Sequence, residues 1–155
     1  MIRLAGVEEA HYVHQAMMAA FEEYRNADVP SSALHETVSS VEEALRNGSE
    51  QAVVCMNEEV PLGSARFKID ASGLYFSRLS VSPEARGRGI AKRMLSWLEN
   101  YAGEQGKSRV WCRVRMSAPQ NIRLYQSVGY QVYREEMVIN PNGFAVNTVL
   151  MEKII

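Results

Sequence analysis

Residues Ser80–Tyr101 read SVSPEARGRGIAKRMLSWLENY. Arg86, Gly87, Arg88 and Gly89 fill the four positions before an apolar run in which Ile90, Met94, Leu95, Leu98, Tyr101 and Ala102 recur at three- and four-residue steps. That recurrence predicts an amphipathic helix, with Lys92, Arg93, Ser96, Glu99 and Asn100 on its polar side. Leu74–Val81, upstream, is strand-like, so the chain passes from a strand through a glycine-arginine turn into a helix. The first amides of such a helix have no intrahelical acceptor, and with the helix dipole they attract an anion. Glycine lets a phosphate approach the backbone, and Arg86 and Arg88 put positive charge where the dipole alone would prefer acids. The stretch suits a phosphate, although the same glycines would also serve a plain tight turn with solvated arginines.

Downstream, Val110, Cys112, Val114 and Met116 alternate with Trp111, Arg113 and Arg115, the two-residue period of a strand. Strand, helix and strand in that order imply a crossover with the two strands parallel or nearly so. Pro119–Ser127 reads as a short helix closed by Gly129. Tyr130–Ile139 and Phe144–Lys153 then form a hairpin around Asn140-Pro141-Asn142-Gly143. Upstream, Gln51–Met56 and Leu62–Ile69 flank the turn Asn57-Glu58-Glu59, and with Leu74–Val81 they make an antiparallel meander. Ala10, Val13, Met17, Phe21 and Tyr24 mark a first helix, and Val38–Arg46 a second that ends at Asn47-Gly48.

A chain of 155 residues, 46% hydrophobic and 23% charged, is long enough to bury a core as one domain spanning residues 1–155. With 17 basic against 18 acidic residues there is no overall attraction to nucleic acid, and recognition by charge must be local. Arg109, Arg113 and Arg115 have only Trp111 interleaved, which points to solvated or phosphate-adjacent arginines rather than a nucleic-acid surface. Positions 1–30 lack the basic-then-apolar layout of a signal peptide, and no apolar run approaches the roughly 20 residues that span a bilayer. A cytoplasmic protein without a membrane partner is expected. Cys55 and Cys112 each sit in an apolar strand-like run, the setting of a buried free thiol. His11 and His14 lie three apart on one helix, but two imidazoles leave a zinc ion short of ligands, so no metal is expected.

The glycine pattern sorts known phosphate motifs. A P-loop would need four residues between its first glycine and Gly-Lys-Ser/Thr, and a dinucleotide fingerprint would need glycine where Lys92 stands. Arg86-Gly87-Arg88-Gly89-Ile90-Ala91 instead resembles the acyl-CoA pyrophosphate signature of the GNAT superfamily of N-acetyltransferases, Gln or Arg, two residues, Gly, one residue, Gly or Ala. The preceding LSVSP and the following amphipathic helix match its context. NIRLYQSVGY, from Asn121 to Tyr130, resembles the family's Asn-x-x-x-Tyr helix followed by Gly-Phe or Gly-Tyr.

The resemblance implies an α/β (α+β) fold with a mixed, mostly antiparallel sheet of six to seven strands and about four helices. A splayed pair, Leu74–Val81 and Ser108–Arg115, would form the acyl-CoA cleft. It implies acetyl-CoA as cosubstrate, with backbone groups of Leu79 and Val81 pairing with the pantetheine arm and the amides from Arg86 through Gly87, Arg88 and Gly89 to Ala91 holding the pyrophosphate. Asn121 would touch the arm, and Tyr125 would place its hydroxyl near the thioester sulfur as the acid that protonates the leaving thiolate. The acceptor would be an amine attacking the thioester directly. Many relatives carry an acid on the strand before the Val-x-Pro end, yet nothing acidic lies between Asp70 and Glu84 here. Glu22, Glu23, Glu135 and Glu136 are the acids near segments that usually wall the acceptor site, each also readable as a surface charge. Arg78 on that strand hints at an anionic acceptor group. The missing acid keeps a second reading alive, a non-catalytic acyl-CoA-binding sensor. The acceptor and the oligomeric state, a homodimer included, stay open.

Overall fold

The computed structural model describes residues 1–22 and 32–155. Its strands are β1 (Ile2–Leu4), β2 (Gln51–Asn57), β3 (Val60–Asp70), β4 (Gly73–Val81), β5 (Arg109–Arg115), β6 (Gln131–Ile139) and β7 (Ala145–Ile154). Its helices are α1 (Ala10–Phe21), α2 (Val38–Asn47), α3 (Ile90–Glu104) and α4 (Pro119–Ser127). The strands form one sheet in the order β1-β2-β3-β4-β5-β7-β6. Pairs β1/β2, β2/β3, β5/β7 and β6/β7 are antiparallel, and β4/β5 is parallel. The mixed, mostly antiparallel sheet with four helices is the expected class.

The chain groups into two compact units, Met1–Lys68 with Phe76–Trp97, and Ile69–Tyr75 with Leu98–Ile155. In the first, the apolar stripe of α1 supplies Ala10 and Val13, which pack with Val41 of α2 and with Ala52, Val54 and Met56 of β2. Thr37 caps α2 reciprocally: its hydroxyl accepts from the Ser40 amide at 3.0 Å, and the Ser40 hydroxyl accepts from the Thr37 amide at 3.0 Å. Left-handed Gly48, at φ 78°, ends that helix. Tyr24, expected on the first helix, lies outside the described residues. β1 carries no sequence signal, since three residues cannot display a period; it is held by pairing Ile2, Arg3 and Leu4 with Cys55, Val54 and Val53.

A second cluster joins Cys55, Ala85, Ile90 and Met94, with Ile2, Leu62, Leu79 and Val81 packed against it. Gly63 sets the spacing there. A Cβ on it would lie 2.8 Å from the Ser80 carbonyl oxygen, 2.9 Å from the Met94 methyl and 3.3 Å from Ile90 Cγ2. The Met94 methyl can swing aside, but the carbonyl is backbone. Gly63→Ala is expected to cost about 2 kcal/mol through overpacking, seen as a melting temperature lower by roughly 4–8 °C. A melt within a degree of the parent would show that β3 can shift freely.

In the second unit the start of β4 meets β5, in register at Leu74↔Val110 and Tyr75↔Trp111. Gly73, at φ 123°, permits this, because a side chain there would run into the Arg109 carbonyl. Val110, Cys112 and Val114 are buried as the alternation predicts, whereas Met116 lies beyond the end of β5 and is exposed. Burial pushes the Cys112 thiol pKa well up, so it behaves as core rather than nucleophile. Glu99, expected on the open face of α3, accepts from the Tyr130 hydroxyl at 3.0 Å and from Lys153 Nζ at 2.9 Å. Arg109 pairs with Glu152 at 2.6 Å and Arg113 with Glu136 at 3.0 Å. These two arginines are therefore partners within the β5, β6 and β7 sheet and not freely solvated, the first of the two readings that the sequence allowed.

Candidate functional site

Residues Phe76–Trp97, which hold the end of the predicted strand, the turn and the first half of the helix, form one continuous piece of the first unit. The Ser82 amide donates to the Leu62 carbonyl of β3 at 2.9 Å. Backbone groups alternate direction along a strand, so those of Val81 point toward the edge away from β3. The side chains of Leu79 and Val81 are spent on the apolar cluster, which leaves their contribution to any ligand to the backbone.

Pro83–Ala85 makes a single 3-10 turn, closed by Ala85 N–H to Ser82 O at 2.9 Å and Arg86 N–H to Pro83 O at 3.4 Å. The Arg86 amide thus already has an acceptor, a long one. Gly87 and Gly89 follow at φ 82° and 75°, and a Cβ on either would touch nothing within 4 Å. They are demanded by backbone conformation, not by packing. The bond from Arg93 N–H to Gly89 O at 3.0 Å opens the ladder of α3, so the helix's own geometry supplies no acceptor for the amides just before it. Arg88 donates to the Glu84 carbonyl at 3.4 Å from an exposed position.

Asn121 and Tyr125 stand four apart on α4 in the second unit, hence on one helical face. Pro119 starts that helix and the Asn121 amide donates to the Ala118 carbonyl at 3.0 Å. Tyr125 is buried, its ring 6.0 Å from the Tyr130 ring, and its carbonyl takes the amides of Val128 and Tyr130. The ring is therefore part of the core.

The acids suggested by sequence disperse. Glu22 and Glu135 are exposed, Glu23 lies outside the described residues, and Glu136 is engaged by Arg113. The carboxylate that does reach β4 is Glu36, from the loop before α2. Its Oε2 accepts from Arg78 Nε at 2.9 Å and also from Arg66 Nη2, while Arg78 Nη2 donates to the Ser32 hydroxyl at 3.0 Å. Arg66 is 4% exposed, with Glu50 Oε2 3.6 Å from its Nε. His14 Nε2 lies 2.9 Å from the Glu36 carbonyl, anchoring the loop to α1. Among the described residues no group of three or more His, Cys, Asp or Glu is placed to hold a metal. Arg78 itself sits at φ 55°, left-handed inside a strand, a conformation costing about 1 kcal/mol or more for such a residue.

Burial raises the Glu36 pKa, but the hydrogen bonds and charges of Arg66 and Arg78 outweigh it, and the carboxyl ends below its ordinary value. A carboxylate with a lowered folded pKa stabilises the fold fully above its unfolded pKa and loses that contribution as pH falls through the folded value. Glu36→Gln is expected to cost about 2 kcal/mol at neutral pH, under the roughly 3–5 kcal/mol of a fully buried pair because Glu36 keeps some solvent contact. The gap between parent and variant should close as the pH falls below about 4. Denaturant titrations across pH test this; a gap that does not change with pH would mean the pair adds nothing.

Comparison with known proteins bears on the whole arrangement. A ribosomal protein bS18-alanine N-acetyltransferase of Haemophilus ducreyi is 35% identical over 75 residues, 47% of this chain and 52% of that protein, so the match spans about half of the relative. A ribosomal-protein-alanine N-acetyltransferase from Brucella melitensis shares the fold with a TM-score of 0.80 at 18% identity, over 100% of this chain and 99% of the other. The PaiA N-acetyltransferase from Thermoplasma acidophilum, solved with coenzyme A, does so at 0.79 and 14%, over 100% and 98%. The model of the acetyltransferase (GNAT) family matches residues 13–130. The chain belongs to the GNAT acetyltransferase family.

Proposed function

We propose that residues 1–155 act as one catalytic domain that moves the acetyl group of acetyl-CoA to a primary amine by direct attack on the thioester. The observation that carries this reading is the strand, turn and helix of residues 79–91. Backbone directed away from β3, two left-handed glycines and a helix N-terminus follow one another there, in the order in which a pantetheine arm and a pyrophosphate would need them. In this reading the backbone of Leu79 and Val81 pairs with the arm. The amides from Gly87 to Ala91, with Arg86 and Arg88, hold the pyrophosphate. Asn121 steadies the arm.

Attack by the amine creates a tetrahedral oxyanion, and its collapse expels a thiolate that Tyr125 protonates. Glu36, held low by two arginines, is a poor base for the ammonium proton. That proton passes to water, and the rate should climb with pH toward the acceptor's own pKa.

Calorimetry with acetyl-CoA tests the cofactor assignment: binding is expected, and no heat at millimolar ligand would overturn it. The absence of an acid between Asp70 and Glu84 favours one other reading, an acyl-CoA sensor without turnover. Release of free thiol with any amine acceptor excludes that reading. A cytoplasmic setting belongs to the proposal, and no helix among the described residues is long and apolar enough to cross a membrane.

A further inference from the structure

We propose that Arg78 is the residue that selects the acceptor, and that the acceptor carries a carboxylate beside the amine it presents. The inference rests on the acetyl-transfer reading and names its substrate class. If the pyrophosphate sits on the turn after β4, the arm must run backward along the strand at about 3.3 Å per residue, past Val81 and Leu79. Its reacting end then arrives at Arg78. There the chain turns left-handed, at φ 55°, breaking the alternation of the strand and re-aiming its groups.

The side chain at that point is built, not loose. Glu36 Oε2 on Nε and the Ser32 hydroxyl on Nη2 fix the plane of the guanidinium, and the loop supplying both is tied to α1 by His14. The bonds found among the described residues use two of its five N–H groups. Electrostatics favour an anion at this end of the cluster. One carboxylate oxygen of Glu36 is divided between two guanidiniums, and the second acid, Glu50, lies on the Arg66 side. Arg66 is sealed in at 4% exposure, while the Arg78 side chain is 27% exposed and is the one a small molecule can reach. A guanidinium with a fixed plane matches a carboxylate in a two-point contact, and it repels a second ammonium group. An α-amino acid offers the required pair of groups; a polyamine offers the opposite charge.

The test compares acceptors that differ only in this group. Free L-amino acids, their carboxamides and spermidine are supplied to the parent enzyme with acetyl-CoA, and thiol release is followed. The best amino acid is expected to exceed its own amide by at least tenfold in kcat/KM, mainly through KM. Arg78→Gln should bring that ratio close to one, and Arg78→Lys should restore part of it, which a merely structural arginine would not do. Amides or spermidine accepted as well as the amino acids would overturn the inference, and so would a preference that survives in Arg78→Gln. The comparison of amino acid with amide needs no variant, so it decides even if Arg78→Gln does not fold. A protein that binds no acetyl-CoA refutes the parent reading; one that binds it and acetylates amines regardless of the carboxylate refutes this inference alone.

Discussion

Tyr125→Phe is expected to slow acetyl transfer by about a hundredfold when a single turnover is measured, the lower end of the roughly 10²–10⁴-fold range of general acid catalysis. The substitution removes one oxygen and keeps the ring. Because Tyr125 is buried against Tyr130, the ring is what the fold needs, and the melting temperature should move little. Acetyl-CoA affinity should stay within a few-fold of the parent. The low end of the range is chosen because a thiolate is already a fair leaving group and water can partly substitute for the acid. Steady-state rates would mask the effect if product release limits turnover, so the chemical step must be observed directly. Equal single-turnover rates for parent and variant from pH 6 to 9 would remove Tyr125 from the mechanism.

Gly89→Val should weaken acetyl-CoA binding by well over tenfold, more than about 1.4 kcal/mol. Two effects act together. A side chain at position 89 projects into space that the protein leaves open, which the proposal gives to the pyrophosphate, and a β-branched residue at φ 75° is strained. The strain, about 1–2 kcal/mol, should lower the melting temperature of the cofactor-free protein by a few degrees while the fold persists. Calorimetry and thermal melts on the same preparation separate the two effects. Cofactor binding equal to the parent's would show that the pyrophosphate lies elsewhere.

The parts of the fold that sequence reveals are those with a local cause. Period and punctuation coincide from Leu74 to Glu104, where a strand, two left-handed glycines and an apolar helical stripe follow without interruption, and the structure has each where the pattern puts it. The hairpin of β6 and β7 and the end of α2 at Gly48 are legible for the same reason. Three-residue β1 is not, because its pairing with Val53–Cys55 is a matter of chain reach and not of pattern.

The candidate site divides along the same line. Gly87 and Gly89 announce themselves, since few other residues tolerate their backbone angles. Asn121 and Tyr125 have the spacing of any helical face, and only their resemblance to a known family's motif singles them out. Arg78 adopts φ 55° with no glycine or asparagine to flag it. Glu36 meets Arg66 and Arg78 across 30 and 42 positions, a contact that no local periodicity encodes. An arginine in the apolar run of β3 is the one trace it leaves, because a buried guanidinium must have an acid for company.

The most direct measurement of the central claim is the fate of the acetyl group. The protein is mixed with acetyl-CoA and a panel of primary amines, and free coenzyme A thiol and acetylated amine are quantified together. The account predicts an acceptor for which the two appear one for one, at a rate that depends on enzyme and is abolished when the amine is omitted. Acetyl-CoA that binds but yields no amide above the enzyme-free rate with any amine, or thiol released without an amide, would contradict it.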